Sequence, residues 1–209
     1  MRPGVGWRRA LWLVLLGALL GAAACGGGKE SRELAPTQES STPESGVVST
    51  PGPVPTLDPN IRLVRYDSPD KGYSIDYPEG WQVEAAAVGA PDIFSWTTEE
   101  QGLMAQLTAG CTKGEGLTPE DVIAENSRYV GPYGIIDPTK ATPVGVAGVT
   151  GKRLEYHTEV ASYAVDHVAV FFVIGDCGWR IGLSAPVSSG LDQFLPLFDR
   201  VLASFHYSG

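Results

Sequence analysis

The 209-residue sequence predicts an α+β domain, a three-layer α/β/α sandwich with a mostly antiparallel central sheet and a long C-terminal helix. Three observations predict it. Short runs alternate apolar and polar residues, as Tyr73, Ile75 and Tyr77 do with Ser74 and Asp76, which is the period of a half-buried strand. Connections of hairpin length join several such runs, and this favours antiparallel pairing. Residues 168–174 are apolar at every position while two other segments carry helical spacing, so a strand covered on both faces is expected between two helices.

The first strand run is bounded by Asp70-Lys71-Gly72 and by Pro78-Glu79-Gly80. Similar runs occupy residues 92–97, 103–109, 152–158, 164–174 and 179–184. In the last, Trp179, Ile181 and Leu183 alternate with Arg180, Gly182 and Ser184. Thr118-Pro119-Glu120-Asp121 supplies a helix N-cap, a proline at the first helical position and early acidic charge. Val122, Ile123, Asn126, Tyr129 and Val130 then share one face. The C-terminal helix carries Leu191, Phe194, Leu195, Phe198, Val201, Leu202 and Phe205 as a continuous apolar stripe. Pro196 would cost about 3 kcal/mol in a helix interior, so the regular helix is predicted to begin near Gln193 with Pro196 in its first turn.

Ahead of this domain the sequence has a different character. Arg2, Arg8 and Arg9 precede an apolar run at residues 10–24 with six leucines, and the run ends Gly21-Ala22-Ala23-Ala24-Cys25. A basic start, a short apolar centre and a small-residue end make a secretory signal, residues 1–24, and the run is shorter than the ~20 residues of a membrane span. The segment around Cys25 resembles a bacterial lipobox, with Ala22 where leucine is usual. That resemblance implies that the Cys25 sulfur receives diacylglycerol, with palmitate as an acyl group, and that Cys25 becomes the new N-terminus. Two acyl chains give stable anchoring without spanning the membrane. Arg8-Arg9-Ala10-Leu11-Trp12 also fits twin-arginine export, while the leucine-rich centre argues for the general secretory route.

After the cysteine, residues 25–60 read as a disordered linker. Between Gly26 and Asn60, glycine, serine, threonine and proline account for 20 of 35 residues and aromatic side chains are missing, so ordering the backbone has no apolar burial to offset it. The remaining 149 residues, 61–209, form one domain, which buries roughly 70% of its unfolded surface and needs no metal to hold a core. Net charge is −9, and −12 once the three signal arginines are removed, because 12 basic residues then face 24 acidic ones. An acidic chain with no Lys/Arg cluster excludes nucleic acid as an expected partner.

Tyr66-Asp67-Ser68, then Gly72-Tyr73-Ser74-Ile75-Asp76-Tyr77-Pro78-Glu79-Gly80-Trp81, resembles the opening of PsbP-like domains. The hairpin at Gly148-Val149-Thr150-Gly151 and the ending Phe198-Asp199-Arg200-Val201-Leu202-Ala203-Ser204-Phe205 resemble the same family. The family takes its name from an extrinsic photosystem II subunit and shares its fold with a Ran-binding nuclear import factor. The resemblance implies that fold over residues 61–205 and, from its bacterial branch, an extracytoplasmic lipoprotein. Its motifs are turn glycines, core aromatics and a packing helix, so it carries no activity across. Photosystem members are associated with manganese and calcium handling, and no matching ligand motif stands in this chain.

Candidate sites are few. Cys111 and Cys177 are an even pair in an oxidising compartment, and a disulfide between them is expected. His157 and His167 flank a hairpin turn, and a turn centred on Ser162 would set them opposite each other near Asp166, Glu155 and Glu159. Two such ligands make a weak metal site, and a solvated polar strand pair is the reading preferred, so neither metal nor cofactor is expected. There is no Gly-x-Ser-x-Gly elbow, and the acidic pairs read as loop and helix-start charge, so no enzyme is expected. Trp81, Trp96 and Trp179 are candidates for a ligand pocket, although aromatics at strand spacing are more often core. The sequence therefore leads to an extracytoplasmic protein-binding or scaffolding module, lipid-anchored through Cys25 to the cell membrane of a bacterium, with an envelope protein as its partner. The alternative is a small-molecule or lipid carrier with an apolar pocket between sheet and helix.

Overall fold

The computed structural model describes residues 56–58, 60–99 and 102–209, the side chain of Val160 excepted. The signal segment, Cys25 and the linker as far as residue 55 lie outside the described residues. The described strands are β1 (Leu63–Asp67), β2 (Tyr73–Pro78), β3 (Gln82–Glu84), β4 (Asp92–Thr98), β5 (Gly102–Lys113), β6 (Thr142–Val146), β7 (Val149–Val160), β8 (Tyr163–Ile174), β9 (Cys177–Pro186) and β10 (His206–Tyr207). The described α-helices are α1 (Pro119–Val130) and α2 (Leu195–Ser204). Seven strands form one sheet in the order β3-β4-β5-β9-β8-β7-β6, and β1-β2-β10 form a second. Every pairing is antiparallel.

The period-2 alternation of β9 decides what each face of the large sheet does. Trp179, Ile181, Leu183 and Ala185 point to one side and are buried with Phe94, Leu107, Phe172, Phe194, Phe198 and Phe205. On this side α2 and the small sheet cover the large one, with Tyr73 and Ile75 of β2 in the same core. Tyr73, Trp179 and Phe205 meet with ring centroids 5.1 to 5.7 Å apart. Burying each such side chain is worth about 1.5–3 kcal/mol.

On the other side α1 lays Val122 and Ile123 against Leu154, Tyr156, Ala169 and Phe171. Its start follows from the sequence. Thr118 Oγ1 accepts from the Asp121 backbone N–H at 3.2 Å, and Asp121 Oδ2 accepts from the Thr118 N–H at 2.9 Å. Such a capping box is worth about 1 kcal/mol. Gly178 lets the helix approach the strand, since a Cβ there would lie 2.6 Å from Val122 Cγ2. Before α2, a 3-10 turn at Leu191–Phe194 leads into the regular helix, which keeps Pro196 in its first turn as expected. The layering is the predicted sandwich, with one addition: β1, β2 and β10 share the α2 layer as a separate sheet.

Two boundaries differ from the sequence reading. Leu57, assigned to the linker, is packed in the core, and its backbone N–H donates to Gln193 Oε1 at 3.0 Å. The turn between β7 and β8 holds Ala161 and Ser162, so Val160 pairs with Tyr163 and His157 pairs with Asp166. The imagined turn centred on Ser162 is therefore off by one residue, and a one-residue slip moves a side chain to the opposite face.

Candidate functional site

That slip separates the two histidines. His157 stands on one face of the hairpin with its Nδ1 2.8 Å from Asp166 Oδ1, partly exposed. His167 stands on the α1 face, stacked on Tyr156 with centroids 4.6 Å apart and 8° between planes. They share no ligand position, and among the described residues no group of three or more His, Cys, Asp or Glu side chains is placed to hold a metal.

His167 belongs instead to a polar patch spread over four strands, in which two hydrogen-bonded sets meet where Tyr156 stacks on the imidazole. Its Nε2 is 2.7 Å from Thr158 Oγ1 on β7 and its Nδ1 is 2.7 Å from Ser184 Oγ on β9. Both ring nitrogens are thereby occupied. Burial, then the nearby Arg180 charge, then His157, pull its pKa down to about 3, so the ring is neutral across the physiological range. Arg180, on β9, donates from Nη1 to Thr108 Oγ1 on β5 at 2.7 Å and from Nη2 to the Tyr156 hydroxyl on β7 at 3.0 Å. The Thr108 hydroxyl donates in turn to the Gly182 carbonyl at 3.3 Å. Gly182 gives the guanidinium its place, because a Cβ there would lie 2.7 Å from Arg180 Nη2.

The patch is not sealed. Arg180, His167, Ser184, Thr158 and Gln106 all keep some solvent exposure. Alternation along β8 continues the same face through Val165 to Tyr163, which is 50% exposed. Beside it, Gly134 bridges Thr158, and the next residue, Ile135, is 84% exposed. A cation with neutral hydrogen-bonding neighbours thus lies on an open sheet face edged by apolar side chains. Sequence reasoning placed Arg180, Gly182 and Ser184 together by alternation but drew no site from it. Tyr156, Thr158 and Thr108 come from strands whose register the sequence does not give.

A second polar cluster is buried in the other layer. Asp92 accepts from Lys71 Nζ at 2.5 Å, the Tyr73 hydroxyl at 2.6 Å, Ser68 Oγ at 3.1 Å and the Ala86 N–H at 2.8 Å. Burial, and then Asp92, push the Tyr73 phenol above its ordinary pKa, so it stays a donor. The cluster ties the small sheet to β4 of the large one. Its carboxylate is fully engaged from within the domain, which marks it as a structural tie.

The remaining candidates are placed as follows. Cys111 and Cys177 lie at the paired ends of β5 and β9 with Cα atoms 5.6 Å apart and their sulfurs joined. Trp81 and Trp96 line a concavity of about 220 Å³ with Leu57, Ile61 and Glu79. Trp179 does not join them: it is fully buried in the α2-side core, because its odd position on β9 faces inward. A second concavity, of about 250 Å³, lies between α1 and Thr112. Cys25 lies outside the described residues.

No family model and no curated protein matches the chain. Solved structures do. Cyanobacterial PsbP from Synechocystis is similar with a TM-score of 0.53 at 21% identity, over 78% of this chain and 99% of that one. The Ran-binding protein Mog1p of Saccharomyces cerevisiae is similar with a TM-score of 0.51 at 8% identity, over 71% and 96%. LpqN of Mycobacterium tuberculosis, described as involved in cell envelope biogenesis, has a TM-score of 0.47 at 10% identity, over 72% and 92%. The chain spans 48% of a further solved chain, which matches with a TM-score of 0.49. At these identities the likeness concerns architecture, and the architecture of residues 61–209 is that of the PsbP-like fold.

Proposed function

We propose that this chain is a protein-binding module of the bacterial cell envelope, tethered to the membrane through a lipid on Cys25, and that it performs no chemistry. The observation that carries the reading is the open face of the large sheet, where Arg180, Tyr156 and His167 sit beside exposed Tyr163 and Ile135. Mixed polar and apolar side chains on a face fixed by strand pairing are the makings of a docking surface rather than a reaction centre. His167 supports this: with both nitrogens on hydroxyls and a pKa of about 3, it offers no base at neutral pH. Mog1p is by its name a Ran-binding protein, so one protein of this fold does present a protein-binding face.

The carrier reading has less behind it. The concavity at Trp81 and Trp96 measures about 220 Å³, below the ~300 Å³ at which pockets for small molecules begin. Between sheet and α2 the space is taken by Phe194, Phe198, Trp179 and Phe172, each fully buried.

A photo-crosslinking residue placed at Tyr163 of the full-length chain, expressed in its own host, tests the binding module. Adducts with one or a few membrane-fraction proteins are expected, and loss of both membrane fractionation and adducts in Cys25→Ser. No adduct above that from the same residue placed at Val88, 68% exposed in the turn between β3 and β4, would remove the proposal.

A further inference from the structure

We infer that the partner docks by presenting a carboxylate, from an acidic segment of its own chain, to the Arg180 guanidinium. This rests on the binding-module reading and names the chemistry of its partner. Arg62, Arg65, Lys71, Lys113, Arg128, Lys152 and Arg153 each have a carboxylate oxygen within 2.5 to 3.8 Å. Among the described residues Arg180 forms no such pair, although acidic residues outnumber basic ones by 24 to 15 in this sequence. Its described partners are two hydroxyls. Scarcity of acid therefore does not explain the missing counter-charge.

The guanidinium has five N–H donors, and the two bonds to Thr108 and Tyr156 leave three, one of which is the buried Nε–H without a partner. The Nη edge still carries hydrogens for a carboxylate, and Arg–carboxylate pairing is planar and directional. The side chain is also held in place, over Gly182 and between Thr108 and Tyr156, so little freedom is lost on binding. Charge decides between anions. On the same face Lys152 is already paired with Glu120, and His167 contributes no charge, which leaves one cation. One positive charge balances one carboxylate. A phosphate carries about −1.5 to −2 and calls for more than one cation. The flat face with Tyr163 and Val165 alongside suits a polypeptide, whose apolar side chains can cover them while the acid reaches Arg180.

The experiment is a titration of the detergent-solubilised full chain, with its arginine side chains labelled with nitrogen-15, using capped tetraglutamate, capped tetraglutamine, inorganic phosphate and phosphatidylglycerol vesicles as separate probes. Tetraglutamate is expected to shift the Arg180 Nε–H signal saturably, and tetraglutamine is expected to leave it unmoved. The dissociation constant, read by isothermal titration calorimetry on the wild type and both variants, should rise at least about tenfold in R180Q, and R180K, which keeps the charge without the fork, should fall between. Both variants are to be checked for an unchanged circular dichroism spectrum, and if R180Q is misfolded, R180K alone decides. Equal binding in the variants, tighter binding of phosphate, or response to vesicles alone would overturn the carboxylate. The Tyr163 crosslink separates the two levels of the argument. An adduct whose yield is the same in R180Q sinks the carboxylate and leaves the module standing, whereas no adduct in either sinks the module itself.

Discussion

Replacing Asp92 with Asn tests which interaction joins the two sheets, and its cost can be worked from the geometry. The Lys71 and Asp92 side chains are 6% and 1% exposed, with Nζ 2.5 Å from Oδ1. Asp92→Asn keeps the shape and removes the charge, so it leaves the Lys71 ammonium buried with no counter-ion. Breaking one side of a buried pair costs about 3–5 kcal/mol. For a domain near 150 residues each kcal/mol moves the melting temperature by roughly 2–4 °C, so a drop of roughly 6–20 °C is expected. Lys71→Met should cost less, because Ser68, Tyr73 and the Ala86 N–H still donate to the carboxylate. The double variant should lose less than the sum of the two, with a coupling of about 1–3 kcal/mol. The assay is urea unfolding of all four proteins, followed by near-ultraviolet circular dichroism. If Asp92→Asn unfolds within about 0.5 kcal/mol of the wild type, or if the two losses simply add, the cluster is not a tie and the argument fails.

Three further outcomes are expected. Reduction of the Cys111–Cys177 bridge, which spans 66 residues, should lower stability by about 2–4 kcal/mol, discounted from ~4 on the chain-entropy model, and shift the melt by roughly 5–15 °C; coincident melts with and without reductant, with two free thiols counted on the unfolded protein, would contradict it. His167 has its folded pKa depressed to about 3 against 6.5 unfolded, so its contribution is present above pH 6.5 and is lost as pH falls towards 3; the wild type should lose about 3 kcal/mol more than His167→Gln between pH 7 and pH 4 in urea melts, and parallel pH profiles would refute the shift. Gly178→Ala would bring a methyl to 2.6 Å from Val122 Cγ2 and should destabilise by about 1–3 kcal/mol while raising amide exchange along α1; unaltered exchange there would show that the helix docks elsewhere.

What could be read from the sequence follows from how local each signal is. β2, β8 and β9 declare themselves because one face of each is apolar at every second position or both faces are. α1 declares itself by Thr118, Pro119 and Asp121, three residues whose roles are settled within one turn. The strands that escape notice are those that exist through pairing alone. β3 is three exposed residues, β10 is two residues following α2, and β6 carries Pro143 and Gly145 at the sheet edge. β5 was expected to stop at Ala109, where glycine interrupts the pattern, yet the ladder to β9 runs on to Lys113 opposite Cys177. Register is the other limit. The difference between His157 facing His167 and His157 facing Asp166 is a single residue in a turn, and no side-chain pattern in β7 records it.

The candidate site shows the same limit from the other side. Arg180, Gly182 and Ser184 are visible as the outward positions of a strand, and on that evidence alone they describe an ordinary solvated face. What changes the reading is negative information that only three dimensions supply: the nearest groups to Arg180 are hydroxyls of Thr108 and Tyr156, from positions 72 and 24 residues away, and neither is charged. β9 is consequently a divider. Its odd residues, Trp179, Ile181 and Leu183, are fully enclosed in the core that sets stability, and its even residues, one position along, line the face on which the binding argument rests. Neighbouring residues on one strand face opposite layers, and on the even face Arg180 and Ser184 keep solvent exposure while Gly178 packs against α1, so substitutions at those two positions are the ones expected to alter docking apart from folding.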